Sequence, residues 1–317
     1  MSNISTQETA RTLFLTADGI DFAYRLIGSP ANSSSNSRPL LLLNHFRSTI
    51  DLWDPLLVDT LASTGRQVIT YDYAGVGHSS GDVQLSIKGF TANLISFLLA
   101  LLPMLHFGSV DILGFSMGGY VAQQLALDAP NLVNKLVLSS TGPSGSLGEG
   151  VRKPMAEVQS AIMSVNPNGP ALVDAFFPSF IAKDEGNAWL NRSITARQAM
   201  AGKNGEPTFA SFLTGPGLPR LIEAYLKWDA DSTPYALLQT IQKDALVTTG
   251  QNDLIIPSEN AYALSRQLPR ANFVVYPSSG HGHIFQNAEF YSKQVKSFLE
   301  GKWPAPPTSA GALVDLA

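Results

Sequence analysis

Short, almost wholly apolar runs alternate with longer amphipathic stretches along most of the chain, and that alternation predicts strands and helices in turn. The runs at 40–44, 68–72, 110–115, 136–140, 246–250 and 273–276 are rich in Leu, Val and Ile. Strands without polar alternation belong to a parallel sheet buried on both faces. Stretches at 53–63, 86–105, 117–128, 258–267 and 288–299 read as helices. Two further runs, 12–17 and 20–27, flank Asp18-Gly19, a dipeptide suited to a two-residue hairpin turn, and read as an antiparallel pair. The expected class is therefore α/β, a mostly parallel central sheet with helices on both faces. The rhythm breaks over 144–233, which is rich in Pro and Gly, helical in pattern and without a clear strand. An insertion of that size predicts a helical cap, or lid, over the C-terminal edge of the sheet, where open α/β sheets hold their sites. Residues 1–143 and 234–301 would form the core domain, and 302–317, with its prolines, a flexible tail.

One apolar stretch asks for a membrane check. Residues 89–110 contain no Asp, Glu, Lys or Arg, long enough to span a bilayer by count. Asn93, Ser96, Pro103 and His106 interrupt it, and a strand pattern follows at once, so a helix buried against the sheet is expected. The first residues lack the basic-then-apolar order of a secretory signal. A cytoplasmic protein without a membrane span is the expectation, and the Asn-x-Ser/Thr triplets at Asn3, Asn32 and Asn191 then read as chance.

Composition sharpens this picture. Charged residues make up 15% of the 317, against about 25% in an average soluble domain. That points to a well-buried sheet or an apolar pocket. Net charge is −4, so no basic surface is available for nucleic acid. Cysteine is absent, which removes disulfide scaffolds, thiolate metal sites and a Cys nucleophile together.

The strongest local signal is Gly114-Phe115-Ser116-Met117-Gly118, followed by Gly119. It fits G-x-S-x-G, follows the predicted strand at 110–115 and opens the predicted helix at 117–128. That is the setting of a nucleophile on a sharp, strained strand-to-helix turn. A serine hydroxyl needs a base, and five histidines are candidates. His106 lies in a helix-to-strand connection, while His45 and His78 follow early strands. His281 and His283 follow the last strand, and His281, flanked by glycines, is the expected base with His283 second. The pair also makes a weak H-x-H metal signal, discounted for want of a nearby acid. Asp253 is the first acid past the penultimate strand, so it is expected to orient the imidazole. Asp244 precedes that strand, and no acid follows the strand at 136–140 before Glu149.

The order Ser116, Asp253, His281 resembles that of the α/β-hydrolase fold family, in its serine-nucleophile branch with a helical cap, and the likeness covers about residues 12–301. The resemblance implies a cofactor-free, metal-free hydrolase, with Asn44-His45-Phe46-Arg47 where the family carries its oxyanion loop. Backbone N–H groups of Phe46 and Met117 would then be the oxyanion donors, worth about 3 kcal/mol each in the transition state. Phe46 replaces the family's usual Gly and narrows the pocket. Ala74 stands where the family usually has Arg, so a buried ion pair is expected to be missing. The nearby Gly75-Val76-Gly77 is only part of a dinucleotide fingerprint and is rejected as one.

The lid segment holds Phe176, Phe177, Phe180, Trp189, Phe209, Phe212, Tyr225 and Trp228. Together they favour an apolar cavity and a small, mostly hydrophobic ester, lactone or thioester. Trp189, Trp228 and Arg47 are the expected substrate contacts, although a plain surface Arg is the simpler reading of Arg47. The expected protein is a monomer or homodimer acting on that small molecule through an acyl-enzyme. Three rivals use the same fold: a C–C bond hydrolase, a cofactor-free perhydrolase, and a non-enzymatic receptor that traps a ligand under the lid.

Overall fold

The structure is a computed structural model that describes residues 4–30, 37–145, 151–164 and 169–303. The triplets at Asn3 and Asn32, Glu149, the tail from 304 onward and the side chain of Phe180 lie outside the described residues.

Along the chain come β1 (Leu13–Ala17), β2 (Ile20–Ile27), β3 (Leu40–Leu43), α1 (Pro55–Ser63), β4 (Val68–Tyr71), α2 (Ile87–Met104), β5 (Val110–Phe115), α3 (Met117–Asp128) and β6 (Val133–Ser139). After these follow α4 (Ala156–Met163), α5 (Gly169–Phe176), α6 (Ser179–Gln198), α7 (Gly217–Ala230) and α8 (Thr233–Leu237). The chain then returns to the sheet with β7 (Ala245–Gly250), α9 (Ser258–Gln267) and β8 (Ala271–Tyr276), and closes with α10 (His283–Gln286) and α11 (Ala288–Leu299).

The eight strands form one sheet in the order β1-β2-β4-β3-β5-β6-β7-β8. β1 and β2 pair antiparallel through the turn at Asp18 and Gly19, both with positive φ, and β2 runs antiparallel to β4. Every other pairing is parallel. β3, β4 and β5 are buried at every residue, which is why they show no polar alternation. The core divides into two clusters on the two faces, one gathering α2 and α3, the other α1 and α11.

α2 is long and apolar enough to cross a membrane by length and composition. In the fold it packs on α3 and β1, burying Ile87, Phe90, Leu94, Phe97, Leu98 and Leu101. Ser86 caps its first turn by accepting from Gly89 N.

Ala74 is fully buried without a charge of its own, yet charge is buried close by. Asp51 pairs with Arg25, with His78 Nε2 at 2.8 Å and with Arg197 of α6 at 3.7 Å. Arg197 also pairs with Glu206 at 2.9 Å, and Ala210 N donates to Asp51 at 2.8 Å. Burial pushes the Asp51 carboxyl up, but the His78 hydrogen bond, the Arg25 guanidinium and the Ala210 N–H together hold it down at about 2. The network ties the segment between β6 and β7 to the sheet.

Candidate active site

β5 delivers Ser116 to the start of α3 with φ 56° and ψ −121°, a conformation costly for any residue with a Cβ. The flanking glycines are required sterically. A Cβ on Gly114 would lie 2.5 Å from Gly118 O, and one on Gly118 would lie 2.2 Å from Leu43 O. The bend thus fits only because the chain crosses itself and β3 with no side chain between. Ser116 is 5% exposed and opens on a cavity rather than on bulk water.

Asp253 and His281 sit on the loops after β7 and β8, neighbouring parallel strands. The Asp253 carboxylate receives His281 Nδ1 at 2.8 Å, and its other oxygen accepts from Ile255 N and Ile256 N at 2.9 Å each. The imidazole lies between the rings of Phe115 and Phe176, with centroids 5.1 and 4.9 Å away. Its backbone carbonyl accepts from Ser140 Oγ at 2.8 Å. Nδ1 is committed to Asp253, and His281 lines the same cavity as Ser116.

His283, two residues on, is fully buried with both nitrogens engaged. Nδ1 is 3.0 Å from Ser140 Oγ and Nε2 is 2.9 Å from Thr248 Oγ1. Burial, followed by the nearby His281, pushes its basicity down to about 3. His78 is held by Asp51, and His106 is exposed at the end of α2. Asp244 lies at the opposite end of β7, paired with Arg270.

The cavity has two lobes, sharing Ser116, Phe46, Ile162 and Ile255. One runs along α3 past Met117 and Tyr120 to Gln159, Met163 and Tyr225. Burial keeps both phenols neutral, the Tyr225 hydroxyl being pushed up to about 12. The other runs past His281, His45 and Arg47 to Ala171, Leu172, Phe176 and Phe212. His45 is pushed down to about 3, first by burial and then by His281, and its Nδ1 lies 3.1 Å from Phe46 O. Phe46 and Met117, the residues expected to supply oxyanion donors, both line the first lobe beside Ser116.

The expected substrate contacts fare differently. Trp189 lines neither lobe: it is 1% exposed and stacks between Phe176 and Phe285, 5.1 and 5.2 Å away. Trp228 lines neither lobe, being stacked on Tyr120 at 5.3 Å, and borders an adjoining cleft with Tyr225 and Ile255. Both are large rings whose burial serves packing. Arg47 does line a lobe, but as a buried residue at 3% exposure rather than a surface one. Its Nε donates to Leu213 O at 2.8 Å and its Nη1 to Ser164 O at 2.7 Å. The walls contributed by α4 and α5, Gln159, Ile162, Ala171 and Leu172 among them, carried no sequence signal beyond helical patterning.

The model of the α/β-hydrolase fold family matches residues 38–288, and the chain belongs to that family. A protein of Caulobacter vibrioides named as a carbamate hydrolase, RutD, is 25% identical over 90% of this chain and 97% of its own. A poly(3-hydroxyalkanoate) depolymerase of Ectopseudomonas oleovorans is 26% identical over 83% of this chain and 84% of its own. Among solved structures, an α/β-hydrolase fold protein from Chitinophaga pinensis superposes with TM-score 0.77 at 28% identity, covering 93% of this chain and 99% of that one.

Proposed function

We propose that this member of the α/β-hydrolase fold family is a serine hydrolase that cleaves an ester, lactone or related acyl bond of a small molecule. The observation that carries the reading is a strained Ser116 sharing one apolar cavity with an imidazole whose far nitrogen is held by Asp253. Ser116 Oγ attacks the carbonyl carbon as its proton passes to His281 Nε2. Asp253 fixes the tautomer and stabilises the imidazolium that results. The carbonyl oxygen, now negative, accepts from the Phe46 and Met117 N–H groups, the second lying at the N-terminus of α3. His281 returns its proton to the leaving group. A water, deprotonated by the same imidazole, then cleaves the acyl-enzyme and releases Ser116. No cofactor enters this scheme. The relatives' names, a carbamate hydrolase and a depolymerase, agree with attack on a carbonyl but leave the bond open.

A fluorophosphonate probe should label Ser116 stoichiometrically, and peptide mapping should find the adduct there. Ser116→Ala should abolish both labelling and turnover of p-nitrophenyl esters while the fold survives. Labelling at another residue, or a wild-type protein inert to the probe and to a panel of esters, lactones and carbamates, would reject the reading. Stoichiometric retention of an intact ligand would favour a receptor instead.

A further inference from the structure

Four arginines are buried below 5% exposure among the described residues: Arg25, Arg47, Arg66 and Arg197. Three of them meet a carboxylate. Arg25 pairs with Asp51, Arg66 with Asp111 at 2.5 Å, and Arg197 with Glu206 at 2.9 Å. Arg47 forms no ion pair with any described residue. Its Nε and Nη1 are spent on backbone carbonyls, and Nη2 is buried with no hydrogen-bond partner. A guanidinium shut away from water without an anion is expensive, and a fold tolerates one where something else completes it.

Its position says what would. Arg47 lines the lobe that contains Ser116 and His281, and apart from these and His45 the lining is apolar. His45 is uncharged at neutral pH, so it neither competes for an anion nor supplies one. The lobe is therefore lined by one unpaired cation and by no described carboxylate, Asp253 standing outside the lining and bound to His281. Because His281 must hand its proton to the departing group, the lobe it lines is where the leaving group lies. The other lobe, along α3 with Met117, remains for the acyl group.

We propose that Arg47 is an anion-binding residue and that the substrate carries a carboxylate on its leaving-group side, as an acylated hydroxy acid does. This rests on the serine-hydrolase reading and narrows its substrate class. A carboxylate oxygen takes the free Nη2 hydrogens, replacing the hydration that burial removed, and fixes the leaving oxygen within reach of His281. Arg47 also sits with φ 67°, a strained backbone for a residue with a Cβ.

The test compares acetyl esters of straight-chain hydroxy acids three to five carbons long with the same esters whose acid is capped as a primary amide. Each kcat/KM is divided by the hydroxide rate, so intrinsic reactivity cancels. The wild type should prefer at least one carboxylate to its amide by tenfold or more. Arg47→Met should lower that ratio to one or less, and Arg47→Lys should restore part of it. A second reading needs no variant: free hydroxy acids of the same length should slow fluorophosphonate labelling of the wild-type protein more than their amides do. Labelling without any preference for carboxylate overturns the anion site while leaving the hydrolase intact, whereas failure of labelling itself strikes the underlying reading. A preference confined to carboxylates on the acyl side, as in half-esters of dicarboxylic acids, overturns the placement as well. So does an Arg47→Met ratio equal to the wild-type one.

Discussion

His281 and His283 sit two residues apart, one on the loop after β8 and the other at the first position of α10, and occupy different chemical worlds. His281 has one nitrogen fixed by a carboxylate and shares a cavity with Ser116. His283 has both nitrogens fixed by hydroxyls, with Tyr276 and Tyr291 rings 4.8 and 5.8 Å away. Ser140 joins them, since its hydroxyl touches the His283 ring and donates to the His281 carbonyl. A reactive imidazole needs one nitrogen committed and one available. Commit both, and the same side chain becomes a strut.

The sharpest way to break this comparison is His281→Ala. Turnover should fall by a factor on the order of 10⁶, as for Ser116→Ala, with little change in thermal stability, because members of such a triad act as a unit. An active His281→Ala beside a dead His283→Ala would reverse the two roles. Asp253→Asn comes next, with an expected loss of about 10⁴ in kcat from the wrong tautomer, measured as the pre-steady-state acylation rate. His283→Ala should cost less than about tenfold in kcat but roughly 3 kcal/mol of stability by denaturant titration, since it leaves a cavity and unpaired hydroxyls. A large kcat loss with unchanged stability would make it more than a strut.

The subtlest difference is in pH dependence. His283 is pushed down to about 3 in the fold, against an ordinary value of about 6.5 in an unfolded chain. Between those values the unfolded chain binds the extra proton and the folded one does not, so this contribution to stability falls as pH falls. The melting-temperature gap between wild type and His283→Gln should therefore shrink as pH is lowered from about 7 to about 4. A gap that widens would contradict the neutral, buried imidazole.

Much of this architecture was legible in the chain itself. Apolar runs marked the strands because β3, β4 and β5 are buried on both faces, and Asp18-Gly19 marked the hairpin by its backbone needs. Gly114 and Gly118 were readable because a Cβ there collides with backbone. What stayed hidden depends on residues far apart in sequence. Nothing near Asp51 announces that it meets Arg25, His78, Arg197 and Ala210 N. Likewise, Trp189 and Trp228 look like pocket residues until their neighbours are known, since a large ring packs a wall or lines it with equal local logic. Arg47 reads as a surface cation for the same reason, its partners being carbonyls at 164 and 213.

Those carbonyls bear on how the molecule could be re-engineered. Leu213 N donates to Arg47 O at 2.8 Å while Arg47 Nε donates back to Leu213 O, and Thr49 Oγ1 donates to Ala210 O at 2.7 Å. Residues 47–51 and 210–213 are thus stitched in both directions. A chimera that grafts a relative's segment between β6 and β7 onto this core keeps these bonds only where its backbone follows the same path, since the segment's side of each stitch is a backbone group. The natural unit of exchange is discontinuous. It is that segment together with the five residues that follow Phe46, and a graft carrying both halves should be the one that inherits a working pocket.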